Sequence, residues 1–401
     1  MNICIVSREF PPDTAYGGIA TFSLDTALIL KARGHDVTVF SQSVTGSRVM
    51  NWQGLTVYKI KVPQPVRGPQ RLPIFILAFN LFVMRKVIRC HLRRPFDIID
   101  APDHLAEGLF VTLLPKVPLV TRLHTPYALL VDMGLNNYRK GLSYWLIKTF
   151  ERIALRRSDV SYAPTADIVR RCEQLFSLKD LPVKIFGYPL DLNLFSPSEN
   201  RTPWGAPRIL FMSRLEQRKG IETIAKAFPK IRAQHPDATL TLVGRDMPNM
   251  QGVRSGRQFL QSVFTEAGCI DGVTFVDHVP LQQLPEILHE HHIIWIPSIY
   301  DNYPLVCLEA MACGKSVIVS DAGGLPEIVQ HEKTGLIFPK GNADALTQQT
   351  LRLYASPELQ VELGKNARDY CEESCSEEVI YRENIKLYEY ALTKSKKELG
   401  Q

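Results

Sequence analysis

Short apolar runs, each followed by an amphipathic stretch of helical length, recur along the whole chain, and this alternation is what most restricts the fold. It is the pattern of parallel strands joined by crossover helices in doubly wound α/β domains. In the first half, strands are expected near Asn2–Ser7, Asp36–Ser41, Thr56–Ile60, Asp97–Ile99, Pro118–Arg122, Asp159–Ala163 and Val183–Phe186, with a helix over Ile19–Arg33 stopped by Gly34. From Tyr188 to Pro207 the sequence becomes rich in Pro, Asn and Ser and reads as a linker. The alternation then restarts, with strands near Arg208–Met212, Thr239–Val243, Val273–Val276, Ile293–Ile296, Ser316–Val319 and Leu336–Phe338. The 401 residues, 45% hydrophobic, suffice for two cores. The expected fold class is α/β: two Rossmann-like doubly wound domains facing across a cleft, residues 1–187 and 208–376, joined by a linker over 188–207.

Within the second half, Pro297 to Glu327, PSIYDNYPLVCLEAMACGKSVIVSDAGGLPE, places two carboxylates, a helix start and paired glycines in one strand-helix-strand unit. Pro304 opens the helix and Gly314 ends it. The amides of its first turn, at Leu305 and Val306, and the positive end of the helix dipole favour a phosphate, while Asp301 and Glu309 offer acceptor-only carboxylates suited to sugar and ribose hydroxyls. Upstream, in FMSRLEQRKGIETI, a polar loop after a strand carries Arg214, a bidentate fork, and Lys219, a compact charge; together they match a diphosphate. In the first half, Tyr16-Gly17-Gly18-Ile19 lies between the first strand and first helix, where the amides of Gly17 and Gly18 could meet a phosphate or an acceptor. It is not a GxGxxG fingerprint, which argues against a nicotinamide enzyme.

The spacing of Asp301 and Glu309 resembles the acidic-x7-Glu signature of the retaining glycosyltransferase family 4, whose members have the GT-B fold. The first acid is more usually Glu there, and this chain has Asp301. The resemblance implies that Glu309 meets the donor's ribose and Asp301 its sugar. It implies that Arg214 and Lys219, which resemble the family's G/S-R-L-x-x-x-K-G element, neutralise the diphosphate as it leaves, and that Gly244, in LTLVGRD, lies near base and ribose. His124, in His124-Thr125-Pro126, resembles the family's first-domain histidine facing the donor sugar. Val276-Asp277-His278-Val279 resembles the segment that lines the base pocket through its backbone, and Asp103, His104 and Glu107 are candidates for the acceptor side. The last helix, about 377–401, would cross back to the first domain. The implied reaction moves a hexose from a nucleotide diphosphate sugar, a UDP-sugar in the first place, to a hydroxyl of a glycan or lipid-linked acceptor, retaining the anomeric configuration and using neither cofactor nor metal. A nucleotide-sugar epimerase and a non-catalytic nucleotide-sugar-binding subunit are the alternatives.

Composition narrows the setting. The eight cysteines show no paired CxxC framework and read as free thiols of a reducing compartment. The chain begins at once with Ile3-Cys4-Ile5-Val6, a strand and not a basic leader, so a cytoplasmic location is expected. The apolar run Ile74 to Met84 is about half the ~20 residues that cross a bilayer. Behind it Arg85, Arg89 and Arg93 recur at helical spacing, a pattern that could touch anionic lipid on the inner face of a membrane or simply be a solvated helix face. The net charge of +6 comes with no nucleic-acid module or aromatic-basic interleaving, so nucleic acid is not an expected partner. His289-Glu290-His291-His292 lacks zinc spacing and Asp97-Ile98-Ile99-Asp100 is no D-x-D motif; no metal site is expected.

Overall fold

The computed structural model describes residues 1–14, 17–63, 72–114, 117–135, 140–179, 181–198, 205–247, 255–277 and 279–398. The chain forms two compact units, Met1–Pro189 with Glu377–Gln401, and Leu190–Ser376. Each is built on a sheet of parallel strands, with one antiparallel exception.

The first unit contains β1 (Asn2–Val6), β2 (Asp36–Ser43), β3 (Arg48–Trp52), β4 (Leu55–Lys61), β5 (Ile98–Pro102), β6 (Leu119–Arg122), β7 (Val160–Ala163) and β8 (Val183–Ile185). Its helices are α1 (Gly18–Ala32), α2 (Leu72–Arg93), α3 (Tyr127–Asp132), α4 (Leu142–Arg156) and α5 (Ala166–Phe176). The strand order is β3-β4-β2-β1-β5-β6-β7-β8. The exception is β3, which pairs antiparallel with β4 in a register that sets Trp52 opposite Leu55. Gln53 and Gly54 turn the chain at φ 51° and 81°, the two positive values that a tight hairpin needs. β3 is absent from the strands expected above because its residues are mostly exposed, an edge strand with no apolar run.

The second unit contains β9 (Arg208–Met212), β10 (Thr239–Val243), β11 (Val273–Val276), β12 (Ile293–Ile296), β13 (Ser316–Ser320) and β14 (Leu336–Phe338). Its helices are α6 (Ile221–Gln234), α7 (Gly256–Glu266), α8 (Leu284–Glu290), α9 (Leu305–Ala312), α10 (Leu325–Ile328), α11 (Ala343–Tyr354) and α12 (Pro357–Ser374). The order β11-β10-β9-β12-β13-β14 is that of a dinucleotide-binding sheet, 3-2-1-4-5-6, with its switch point between β9 and β12. β12 and β13 are buried along their whole length because helices cover both faces of the sheet. At the core Trp295 is covered completely enough that its indole N–H must find a partner, and it donates to Thr350 Oγ1 at 3.0 Å.

Part of the segment read as a linker is packed. Tyr188, Leu190 and Phe195 are buried, and the Leu190 amide donates to the Cys375 carbonyl at 2.9 Å, where the chain enters and leaves the second unit. The final helix, α13 (Glu377–Glu398), packs on α1, β6 and β7 of the first. There Arg122, buried beside the stacked rings of Phe22 and Tyr162, holds Asp100 bidentately and donates to Asn384 Oδ1 at 2.8 Å, while the Tyr388 hydroxyl donates to Asp100 Oδ2 at 2.6 Å. A buried ion pair needs such extra partners to offset its desolvation. The apolar residues of α2, among them Phe75, Phe79, Val83 and Val87, face this unit's core, which accounts for the run Ile74 to Met84.

Candidate active site

The switch point of the second unit gathers the charged residues of two loops. Gly220, which ends the loop after β9, has φ +81°, and a Cβ there would lie 1.9 Å from the Pro297 carbonyl, so only glycine lets this loop close on the one after β12. The Ile299 amide donates to the Arg218 carbonyl at 2.8 Å, and the Arg218 guanidinium donates to the Tyr300 carbonyl at 3.2 Å. With the backbones stitched, Lys219 Nζ reaches Asp301 Oδ2 at 2.5 Å, Arg218 stands 3.7 Å from Oδ1, and the Ser298 hydroxyl donates to Oδ2 at 3.3 Å. Glu216 is shared by Arg214 and Arg218, each at 3.0 Å. The result is a chain of alternating charge, Arg214, Glu216, Arg218, Asp301, Lys219. Its ends differ, because the side chain of Arg214 is 45% exposed and that of Lys219 only 12%.

Burial alone would raise the Asp301 carboxyl, but Lys219 and Arg218, with hydrogen bonds from Lys219 and Ser298, outweigh it and hold the group below the usual carboxylate range. Burial likewise pulls Lys219 down, opposed chiefly by Asp301. The ammonium therefore depends on Asp301 to keep its proton.

Three residues beyond Asp301, Pro304 caps α9 with no side-chain hydrogen bond, so the first-turn amides of Leu305 and Val306 are not capped by the N-cap side chain. Glu309 is one turn further along the same helix, half-buried. The paired glycines of Asp321–Gly324 make their close approach to Asp301 itself: the Gly324 amide donates to the Asp301 carbonyl at 2.9 Å, and a Cβ on Gly323 would stand 2.0 Å from that oxygen. Gly244, at φ +147°, is required by the neighbouring strand end, since a Cβ would lie 2.0 Å from the Ser213 carbonyl, and its amide donates to Val276 at 2.8 Å. Arg218 and Glu216 went unread in the sequence. A cation one residue before Lys219 looks like surplus charge until the backbone bonds to Ile299 and Tyr300 aim it at Asp301.

In the first unit the corresponding residues sit inside. His124 follows β6, its amide donating to Asp103 Oδ1 at 3.0 Å, its Nδ1 2.6 Å from the Tyr188 hydroxyl and its ring edge-on to Phe22. Burial, with the Arg122 and His104 charges, lowers its pKa to about 3, so the imidazole is neutral. His104 Nδ1 lies 3.0 Å from the Thr125 carbonyl. Glu107 accepts the Arg8 amide at 2.6 Å, bridging the loops after β1 and β5, the switch point of this sheet. Between His104 and Glu107 the chain takes left-handed φ of 56° at Leu105 and 52° at Ala106, a strain of about 1 kcal/mol or more for each side-chain-bearing residue. It is held by Glu151, whose carboxylate accepts the amides of Leu105, Tyr127 and Ala128 at 3.0, 2.7 and 3.1 Å. Gly17 and Gly18 open α1 on the surface with nothing within 4 Å of an added Cβ. Tyr16 and His278 lie outside the described residues. His291 bonds to the Ile287 carbonyl and Thr241, and the Arg208 amide donates to His292. Among the described residues no group of three His, Cys, Asp or Glu converges as a metal site would.

Residues 195–370 match the family model described as glycosyl transferases group 1, and residues 17–188 that of the glycosyl transferase 4-like domain. An uncharacterised glycosyltransferase of Methanocaldococcus jannaschii is 26% identical, over 98% of this chain and 99% of its own; a glycogen synthase of Mycobacterium tuberculosis is 26% identical over 84% and 82%. Among solved structures, sucrose-phosphate synthase of Thermosynechococcus elongatus superposes with a TM-score of 0.81 at 23% identity, covering 97% of this chain and 98% of that one. Anabaena HepE, in complex with UDP and glucose, gives 0.68 at 18% identity, with 96% and 98% covered. These two similarities establish the fold. The chain belongs to the family-4-like glycosyltransferases, enzymes of the GT-B fold.

Proposed function

We propose that this glycosyltransferase moves a hexose from a UDP-sugar to a hydroxyl of a glycan or lipid-linked acceptor, with retention, in polysaccharide or glycolipid synthesis. The observation that carries the reading is the ion-paired group of Arg218, Lys219 and Asp301 at the switch point, with Asp301 three residues ahead of Pro304, the N-cap of α9. A diphosphate placed there would meet the amides of Leu305 and Val306 and the cations Arg214, Arg218 and Lys219, whose combined charge supplies what a divalent ion would otherwise give. Asp301 then has two tasks: it holds the Lys219 ammonium, and its remaining acceptor capacity serves the sugar. Glu309 takes the ribose hydroxyls, and the turn at Gly244 lies on the base side. In the first unit, His124, neutral, is the candidate for the sugar, and the open surface at Gly17 and Gly18 the candidate for the acceptor or a phosphate. The leaving diphosphate accepts the acceptor's proton as the bond forms on the same face, so no protein nucleophile is needed; positioning and charge neutralisation supply the rate.

The unpaired thiols fit a cytoplasmic enzyme, and among the described residues no helix is long and apolar enough to cross a membrane, so contact with the inner face would be peripheral. The test is a panel of nucleotide sugars followed by thermal unfolding and product analysis, with and without EDTA. A UDP-sugar should raise the unfolding temperature with the logarithm of its concentration and yield a product of unchanged anomeric configuration, EDTA making no difference. A folded protein indifferent to every nucleotide sugar would overturn the reading.

A further inference from the structure

Among the described residues of the first unit, apolar side chains are exposed most densely on the outer face of α4. Leu142, Trp145, Leu146 and Ile153 are 77%, 56%, 40% and 37% exposed, at the i, i+3, i+4 spacing of a single helical stripe. The opposite face is fully used by the core through Tyr144, Ile147 and Leu155. The helix is thus apolar on both sides, and the described residues cover only one of them.

The charges on this stripe have one sign. Arg152 and Arg156 are exposed on it, and Lys148 lies 5.4 Å over the Trp145 ring. The single acid of the helix, Glu151, is turned inward onto the amides of Leu105, Tyr127 and Ala128. Lys140, just before the helix, is already paired with Asp132. α2 packs against α4, and its outward positions include Ile74, Leu81, Arg85 and Arg89, again apolar and cationic.

We propose that the exposed face of α4 lies in the surface of an anionic bilayer, with Leu142, Trp145 and Leu146 entering the headgroup boundary and Arg152 and Arg156 meeting lipid phosphates. An apolar stripe with a tryptophan and flanking cations is what an interfacial helix presents. A second copy of the chain is a poor occupant, because a two-fold contact would set this cationic face against itself. The inference rests on the proposed reading only for the acceptor being lipid-linked; the face exists independently of the transfer chemistry.

The experiment is co-sedimentation of the full chain with phosphatidylcholine vesicles with and without phosphatidylglycerol, at low and high salt, alongside transfer to a soluble acceptor analogue and measurement of oligomeric state. Wild type should bind the anionic vesicles, weaken with salt and bind neutral vesicles poorly. Leu142→Gln, Trp145→Gln and Leu146→Gln together should lower partition about tenfold or more. Arg152→Gln and Arg156→Gln should each lower it about fivefold. All should keep soluble transfer. No binding of wild type to anionic vesicles at low salt, or equal binding by the triple variant, would overturn the proposal. So would a wild-type dimer that the triple variant dissolves with no vesicle binding in either. Soluble transfer without vesicle binding sinks the surface and leaves the transferase; vesicle binding without transfer to any acceptor does the reverse.

Discussion

In the second unit the loops that meet between β9 and β12 are joined by an ion pair at the inner end of a charged network whose outer end, Arg214, is exposed. In the first, the loops after β1 and β5 are joined by a buried carboxylate, Glu107, that accepts the Arg8 amide. The strand order about the switch point is the same and the electrostatics differ. Around Asp301, neighbouring cations outweigh burial and keep the group ionised. Around Glu107 burial wins over Arg8 and lifts the pKa to about 8; it lifts Glu151 to about 7 and lowers His104 to about 4. Near neutral pH one switch point carries full charges fit for a polyanion, while at the other Glu107, His104 and His124 are held largely neutral beside the Arg8–Glu9 ion pair, a setting that would not repel a hydroxyl-rich molecule.

The sharpest way to break this contrast is to discharge the second unit. Lys219→Ala should lower turnover about 10²–10³-fold, with a smaller loss in UDP affinity, since charge on the departing diphosphate peaks in the transition state. Asp301→Asn should act partly through Lys219. Without the chief influence holding its pKa up, the lysine loses its proton at lower pH, and the alkaline limb of the pH–rate profile moves toward neutrality. An unmoved limb in a folded Asp301→Asn variant would separate the two residues.

The first unit is tested by stability. Glu151 has a folded pKa of about 7, above its ordinary 4.5, so the folded state holds the proton more tightly than the unfolded one. Its contribution is full below about pH 4.5 and is lost as pH rises through about 7, on the order of 3 kcal/mol in all. Below about pH 6.5 the neutral His104 and His124 of the same unit work in the opposite sense, so calorimetry should show the transition of the first unit falling between about pH 6.5 and 8 and that of the second barely moving; Glu151→Gln should lessen the fall. A fall of equal size in both units would dissolve the contrast. The smallest expected effect is Glu309→Ala, where loss of a charged acceptor for ribose should weaken UDP and UDP-sugar binding together by about 1.5–3 kcal/mol. Equal affinity in variant and wild type, by calorimetric titration, would remove Glu309 from the ribose.

The same contrast explains what could be read beforehand. Buried parallel strands are nearly continuous apolar runs, so β12 was legible to the residue and β13 to within one, and Gly244 and the paired glycines at Gly323 and Gly324 stood where loops after strands need close approach. β3 was invisible because an edge strand needs no apolar code. Arg218 was passed over because a cation's direction is set by hydrogen bonds to Ile299 and Tyr300, eighty residues away in the chain. The stripe on α4 was hidden for another reason. Leu142 and Trp145 look no different in sequence from Tyr144 and Ile147, and only the packing decides which set is covered.

The four-residue knot of Arg122, Asp100, Asn384 and Tyr388 has a consequence for how the molecule is made. Two of its members lie in the first sheet, and two are translated only after the whole of the second unit. As the chain emerges from the ribosome, the second unit, continuous from Leu190 to Ser376, has everything it needs to fold. The first must wait with Arg122 and Asp100 lacking half their partners, so the part of the protein that begins synthesis first is the part that finishes last.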